Sequence, residues 1–112
     1  MDKTPNTKRY DLEERTFEFA RACREFVKAQ PKSVQTLEDG KQLIRSSGSI
    51  AANYIEANES LSKKDFILRV KIAKKEAKES RLWLRLMNSN EALLNEATEL
   101  LKILASILEK SK

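Results

Sequence analysis

The sequence predicts an all-α protein folded as an antiparallel, up-and-down four-helix bundle. The 112 residues include only two glycines and two prolines, which is too few for a protein rich in β-turns. Apolar residues recur at steps of three and four along four segments, which is the spacing of amphipathic helices. Short connections join the segments, and they favour antiparallel neighbours around the single core that a chain of this length supports.

The first helix is predicted to begin near Leu12, because Asp11 and Glu14 have the spacing of a capping box. The preceding residues are polar and include Pro5. Residues 1–10 are therefore predicted to be a flexible tail, and residues 11–112 the bundle domain. The helix ends before Pro31. Its inward stripe contains Leu12, Thr16, Phe19, Ala20, Cys23, Phe26 and Val27.

The second helix is predicted to run from about Gln35 to Ala57, with an unusually small middle section. Small residues allow another helix to approach closely, so Gly48 is predicted to be a contact residue. Two sets of larger residues accompany it. Leu37, Ile44, Ala51 and Ile55 share the face of Gly48, and Leu43, Ile50 and Tyr54 lie beside that face.

The third and fourth helices follow capping signals at Ser62 and Asn90. Both have the alternating steps of four and three that are typical of a bundle seam. The third seam is Phe66, Val70, Ala73, Ala77, Ser80, Leu84 and Met87. The fourth is Leu94, Ala97, Leu101, Leu104 and Leu108, widened by Leu93, Leu100, Ile103 and Ile107. So broad an apolar face favours a central position or contact with another subunit.

The residue types present argue against an enzyme. Histidine is absent, which excludes histidine-dependent catalysis and removes the commonest metal ligand. Cys23 is the single cysteine, and its place in an apolar stripe favours a buried core residue over a reactive thiol. We therefore expect no catalytic residue, no metal and no cofactor. We also expect a cytoplasmic protein with no membrane partner, because no apolar run approaches roughly 20 residues.

The charge is basic, with 22 Lys and Arg against 17 Asp and Glu, a net charge of +5 and a pI near 9.4. On a helical wheel, part of this excess forms a ridge along one flank of the third helix. A row of cations can follow phosphates and bind RNA or single-stranded nucleic acid without reading its sequence. The alternative is a solvated face that pairs with glutamates. The basic ridge consists of Lys71, Lys74, Lys78, Arg81 and Arg85.

Three aromatic residues lie off the main seams: Phe17, Tyr54 and Trp83. Uncovered aromatic residues often mark subunit contacts, so these three are candidate oligomer-interface residues. The alternative is that they complete the core of the subunit.

Glutamates and other polar residues give two further candidate sites. Glu56, Glu59, Glu76 and Glu79 form two E-x-x-E pairs, and carboxylates on consecutive helices bind Mg²⁺ in some all-α enzymes. However, Glu59 falls in a predicted turn, and the wheel places Glu76 and Glu79 away from the bundle interior. Arg45, Ser49, Asn53 and Glu56 form a polar line on the second helix, which we interpret as structural.

The run QLIRSSGSIAANYIEANES from Gln42 and the run KKDFILRVKIAKKEAKESRLWLRLM from Lys63 resemble one known family. This is the four-helix-bundle family of bacterial 23S rRNA intervening-sequence proteins, and the resemblance spans nearly the whole chain. Many relatives carry glycine where this sequence has Ala57, so the turn is expected later, around Asn58.

The resemblance implies a ring-like homo-oligomer, typically a pentamer, without enzyme activity. A related branch of the family assists the reverse transcriptase of diversity-generating retroelements, so a polymerase is a further possible partner. Together, residues and resemblance favour a non-enzymatic oligomeric scaffold that binds nucleic acid or a nucleic-acid enzyme. The alternatives are a purely structural or protein-binding bundle, and a metal-dependent nucleotide hydrolase built on the four glutamates.

Overall fold

The computed structural model describes the backbone of residues 7–112 and the side chains of residues 12–112. These residues form helices α1 (Thr7–Lys28), α2 (Val34–Asn58), α3 (Lys63–Leu86) and α4 (Glu91–Lys110), with no β-strand among them. The prediction of an all-α protein with four helices is confirmed. Residues 1–6 of the predicted tail lie outside the described residues, whereas Thr7–Tyr10 belong to α1. The predicted start at Leu12 is thus too late, since residues 7–10 contain no helix breaker.

Local capping determines where α2, α3 and α4 begin. Ser33 forms a capping box with Thr36, in which the Ser33 hydroxyl accepts from the Thr36 amide. Ser62 and Asn90 cap α3 and α4 by accepting from the amides of the third helical residues. The starts predicted at Ser62 and Asn90 are confirmed, as is the late end of α2 at Asn58.

The turn between α3 and α4 depends on Asn88, which has a positive φ of 55°. Its left-handed conformation allows the Ser89 amide to donate to the Leu84 carbonyl and the Asn88 amide to donate to the Arg85 carbonyl. These are the two hydrogen bonds of a Schellman motif. Asparagine tolerates this conformation better than most residues, so the motif ends α3 without a glycine.

One hydrophobic core receives side chains from all four helices. The predicted stripes of α1, α3 and α4 are confirmed, because their members are buried or packed against this core. Each helix contacts its neighbours in sequence, and α1 also contacts α4. Within the described residues, α1 and α3 make no contact, so they lie diagonally opposite each other. No described helix combines the length and the apolarity that a membrane crossing requires.

The core-facing side of α2 differs from the predicted one. Leu43, Ile50 and Tyr54 are buried, whereas Leu37 and Ile55 are about half exposed. Buried Ser46 and Ser47 share the inward face, and the Ser46 and Ser80 hydroxyls lie 2.8 Å apart between α2 and α3. The small serines bring the two helices together, and this rotates the larger Leu37 and Ile55 toward the surface.

The close helix contact of α2 is made by a different glycine from the one predicted. A β-carbon placed on Gly40 would lie 2.8 Å from Cγ1 of Val27, which is too close for a real contact. At Gly48 the nearest atom would be Nη2 of Arg24 at 3.5 Å, an ordinary contact distance. Gly40 therefore allows the close approach of α1, whereas Gly48 lies beside Arg24 of α1 with room for a methyl group.

Candidate nucleic-acid interface

Helix α3 presents the five cations of the basic ridge along the flank that borders α4. Lys71, Lys78 and Arg85 are exposed, and Lys74 and Arg81 are half-buried. The Arg81 guanidinium donates to the Thr98 hydroxyl of α4 at 3.4 Å, which fixes the direction of this flank. The predicted helical spacing therefore brings all five cations to one surface.

The cations of the basic ridge are not neutralised by carboxylates in the described part of the chain. The ion pairs within residues 12–112 involve other cations, namely Arg15, Arg21, Lys41, Arg45 and Lys112. The alternative interpretation required glutamate partners for the ridge, and none lies within ion-pair distance. The five side chains are thus available for an anionic partner.

A shallow cavity of about 420 Å³ opens on the surface of α3 between Lys75 and Arg85. Its charged lining consists of Lys75, Lys78, Arg81 and Arg85 together with Glu79. Glu79 accepts a hydrogen bond from Arg45 of α2 at 3.1 Å, so its carboxylate already has a partner outside the ridge. Four cations around one depression can contact phosphate oxygens, and the two arginines can do so with paired N–H groups.

Glu76 and Glu79 are held by an arginine of α2. Arg45 Nη2 lies 3.4 Å from Glu76 Oε1 and 3.1 Å from Glu79 Oε1. Glu76 is only 6% exposed, so the wheel-based prediction that it lies away from the interior is wrong. The reason is that Arg45 offers a counter-charge on the face where α2 meets α3.

The four glutamates of the hydrolase alternative do not converge on one point. Glu56 and Glu59 are exposed at the C-terminal end of α2. Glu76 and Glu79 lie on α3 and pair with Arg45, which comes earlier in α2. Across the described residues, no group of three or more acidic, cysteine or histidine side chains could hold a metal ion. A metal site needs convergent ligands, and this set is dispersed.

Two residues of the predicted polar line, Arg45 and Asn53, join α2 to α3. Asn53 donates to the Ser49 carbonyl at 2.9 Å and accepts from Arg69 of α3 at 3.3 Å. Arg45 makes the glutamate contacts above, and Glu56 is exposed at the end of the line. The contact of Arg69 was not predictable from the sequence, because it depends on the register of the two helices.

The three candidate interface aromatics have different environments. Phe17 is 49% exposed, with the Arg21 guanidinium 5.4 Å above its ring. Trp83 is partly buried against the core. Tyr54 is only 5% exposed and belongs to the core, so it offers almost no surface to a partner. Placing Tyr54 at an interface was therefore incorrect, because it lies on the true inward face of α2.

A second cavity of about 780 Å³ is lined by residues from all four helices. Its walls are largely apolar, and its charged lining residues are Arg15 and Lys110. Arg15 forms a two-point ion pair with Glu96, with nitrogen–oxygen distances of 2.7 and 3.0 Å. Among the described residues that line it there is no carboxylate, so they contribute no acid and base for hydrolysis.

Comparisons with known proteins agree over most of the chain. The family model described as "23S rRNA-intervening sequence protein" matches residues 8–111. A crystal structure from Bacteroides thetaiotaomicron VPI-5482, of a protein with unknown function from the S23 ribosomal protein family, superposes with a TM-score of 0.79. Its sequence is 33% identical, and the match covers 91% of this chain and 98% of that chain. No curated protein sequence matches.

Proposed function

The chain belongs to the 23S rRNA-intervening sequence protein family, and on this basis we propose that it is a non-enzymatic, oligomeric bundle that binds nucleic acid. The resemblance found in the sequence is confirmed by the family match and by the S23-family structure. The proposal adds a mode of action to this membership: cations on α3 bind the phosphates of RNA or single-stranded nucleic acid.

The observation that carries the proposal is the absence of carboxylate partners for the basic ridge within the described residues. All the ion pairs described there involve other cations, including the pairs of Arg45 with Glu76 and Glu79 of α3. Leaving five cations unpaired on one flank costs Coulomb repulsion, which phosphates would relieve. Such contacts recognise charge and spacing, so binding has little sequence preference.

We propose an antiparallel, up-and-down arrangement for the four helices, which the side-chain contacts support. Between α2 and α3, Arg45 meets Glu79 and Asn53 meets Arg69, so the residue numbers run in opposite directions. Between α1 and α2, Glu13 accepts from Asn58. Further along α1, Arg24 lies close to Gly48. Both pairs of helices follow the antiparallel pattern.

Oligomerisation is the second part of the proposal, with a ring of five subunits as the expected form. Phe17 supports it, because half of its side chain is exposed without a core role. Several leucines of α3 are similarly exposed. Apolar surface of this kind is typical of subunit contacts. Each added subunit would repeat the basic ridge, so weak phosphate contacts would sum along one strand.

We further propose a cytoplasmic location and no catalytic role. A buried, unoxidised Cys23 suits a reducing compartment. The dispersed glutamates support the non-enzymatic assignment over the hydrolase alternative, in which Glu56, Glu59, Glu76 and Glu79 would jointly bind Mg²⁺.

The test is binding of a fluorescent single-stranded RNA, measured by anisotropy across a range of salt concentrations. A variant with Lys74→Gln, Lys78→Gln and Arg81→Gln should bind at least tenfold more weakly and show a shallower salt dependence. The matched control is Lys28→Gln, Lys32→Gln and Lys41→Gln, which removes the same charge from exposed sites away from α3. Circular dichroism should show both variants folded. Exposed substitutions usually change stability by less than about 0.5 kcal/mol. Lys74 and Arg81 are half-buried and Arg81 loses its contact with Thr98, so the ridge variant should be the less stable of the two.

Equal losses in both variants would mean that only net charge matters, and the ridge would lose its assigned role. No binding by the wild-type protein at low salt would favour the protein-binding alternative, with a reverse transcriptase or another polymerase as the partner.

A further inference from the structure

The subunit leaves an apolar patch uncovered where α1 and α2 lie side by side. Its large members are Phe17 and Ile55, which are 49% and 47% exposed. Asn58 donates to Glu13, which joins the two helices at that level. Phe17 lies about one turn from Glu13 on α1, and Ile55 lies about one turn from Asn58 on α2 in the same direction, so Phe17 and Ile55 occupy the same level. Ala51 and Ala52 continue the surface along α2 and are at least partly exposed. These four residues are called the α1–α2 patch below.

A second uncovered surface runs along the outer side of α3. Leu68, Leu82 and Leu86 are each about half exposed, and Ile72 is partly exposed. With Lys75 and Glu79 between them, these positions follow steps of four, three, four, three and four, the spacing of a helix-packing seam. The inward seam of α3 is a separate set of residues, so α3 carries two seams and only one is covered. The outer set is called the α3 stripe.

The two surfaces carry side chains that suit ridge-into-groove packing. The α3 stripe is a row of side chains on a single helix, with leucine or isoleucine toward both ends and Lys75 and Glu79 in the middle. The α1–α2 patch combines two large side chains with the small Ala51 and Ala52, which leave room for a leucine between neighbouring turns. A projecting row packs into such depressions as a ridge packs into a groove.

The surfaces also have opposite charges at their borders. Glu13, Glu14, Glu56 and Glu59 lie within about one turn of Phe17 or Ile55. The cations of α1 on this side are Arg21, which is paired with Glu18 at 3.1 Å, and Arg24, which lies beside Gly48, so the four glutamates are in excess. Beside the α3 stripe the cations are Lys71, Lys75 and Lys78, while Glu79 is paired with Arg45.

We propose that the α3 stripe of one subunit docks on the α1–α2 patch of a second copy of this chain. The contact joins two different surfaces. An open assembly therefore has one free stripe at one end and one free patch at the other until it closes into a ring. Because α1 and α3 lie diagonally opposite each other, the two surfaces can engage two different neighbours at once. The inference rests on the proposed oligomer and identifies its interface.

The basic ridge remains accessible in this arrangement. Arg81 contacts Thr98 of α4, so the ridge lies on the α4 side of α3, whereas the stripe faces outward and toward α2. Of the ridge cations, Lys71 and Lys78 border the stripe. Docking thus covers the leucines and leaves most of the cations open.

The test uses two variants and their mixture, with mass measured by light scattering in the absence of nucleic acid. The patch variant carries Phe17→Ser and Ile55→Ser, and the stripe variant carries Leu82→Ser and Leu86→Ser. The wild type should be an oligomer, and each variant alone should be a monomer. An equimolar mixture should form a dimer, because the intact stripe of one variant meets the intact patch of the other. The control variant, Val34→Ser with Leu61→Ser, removes strongly exposed apolar residues outside both surfaces and should keep the wild-type mass.

Three results would overturn the inference: a monomeric wild type, patch and stripe variants of unchanged mass, or a mixture that stays monomeric. The last result would show that an intact stripe and an intact patch do not bind each other. Circular dichroism on each variant separates loss of assembly from loss of folding. The mass is independent of the RNA measurement, so a failed interface and a failed nucleic-acid ridge are distinguishable.

Discussion

Cys23 shows how strongly the core of this protein excludes water. The thiol is fully buried on α1, beside the Ser47 hydroxyl of α2. Burial disfavours the thiolate and raises the pKa of Cys23 from 9.0 to about 12, although the Ser47 hydrogen bond and the charge of Arg24 act in the other direction. The expected role as a core residue is confirmed by its burial.

This pKa gives the free energy of unfolding a specific dependence on alkaline pH. Below pH 9 the thiol is protonated in both states and contributes nothing to the dependence. Between pH 9 and about 12 the unfolded chain loses the proton while the folded chain keeps it, so stability falls as pH rises. The decline from this group approaches about 1.4 kcal/mol per pH unit.

Urea unfolding of the wild type and of Cys23→Ala from pH 8 to 10.5 would measure this contribution. The variant should be less stable at pH 8 because a buried side chain is shortened. The difference between the two proteins should then shrink as pH rises, since only the wild type loses stability through the thiol. A difference that stays constant to pH 10.5 would mean that the folded thiol ionises as easily as the unfolded one.

Single residues also explain which features of the site could be predicted from sequence. The basic ridge depends only on helical spacing within α3, so the sequence positions of its five cations were enough to predict it. The burial of Glu76 depends on Arg45, which lies 31 residues earlier and reaches it only after α2 and α3 pack. Tyr54 was misplaced for a related reason, because the packing partner decides which of two apolar faces turns inward.

Among the helices, α2 was the hardest to predict. Its ends were predictable within about one residue, because caps are local interactions. Its inward face was not, since serine, glycine and alanine occupy much of the middle and give the hydrophobic pattern little contrast. In α3 and α4, the seams predicted from their regular steps of four and three are buried or packed against the core, so there the inward face was predicted correctly.

The two glycines of α2 should respond to alanine in opposite ways. Replacing glycine by alanine inside a helix gains about 0.5–1 kcal/mol when the methyl group fits. At Gly48 the new methyl would meet Arg24 at 3.5 Å, so Gly48→Ala should stabilise the protein by about this amount. At Gly40 it would lie 2.8 Å from the stiff Val27 side chain, so Gly40→Ala should destabilise it.

Thermal unfolding of the wild type and the two variants would provide the comparison. Each glycine serves as the control for the other, because helix propensity is the same and only the neighbour differs. A higher melting temperature for Gly40→Ala would show that α1 and α2 can separate at Val27 without loss of packing.

At the scale of the whole molecule, assembly and nucleic-acid binding should be linked through the number of ridges that one strand can reach. From Lys71 to Arg85 the ridge is roughly 21 Å long. Stacked single-stranded RNA extends about 3.4 Å per nucleotide, so one ridge spans about six nucleotides. A longer strand must cross to a neighbouring subunit to gain further contacts, and each phosphate contact adds about 0.7 to the salt slope.

The patch variant with Phe17→Ser and Ile55→Ser should therefore lose affinity for long RNA although its ridge is intact. A six-nucleotide RNA should bind the wild type and this variant equally, because one ridge accommodates it. With a thirty-nucleotide RNA, the wild type should bind at least tenfold more tightly than the variant and show a steeper salt dependence, since several ridges act on one strand. The Val34→Ser, Leu61→Ser variant should follow the wild type with both RNAs. If the monomeric patch variant binds the long RNA with the wild-type affinity and slope, ridges on neighbouring subunits do not share a strand, and the oligomer must serve another purpose.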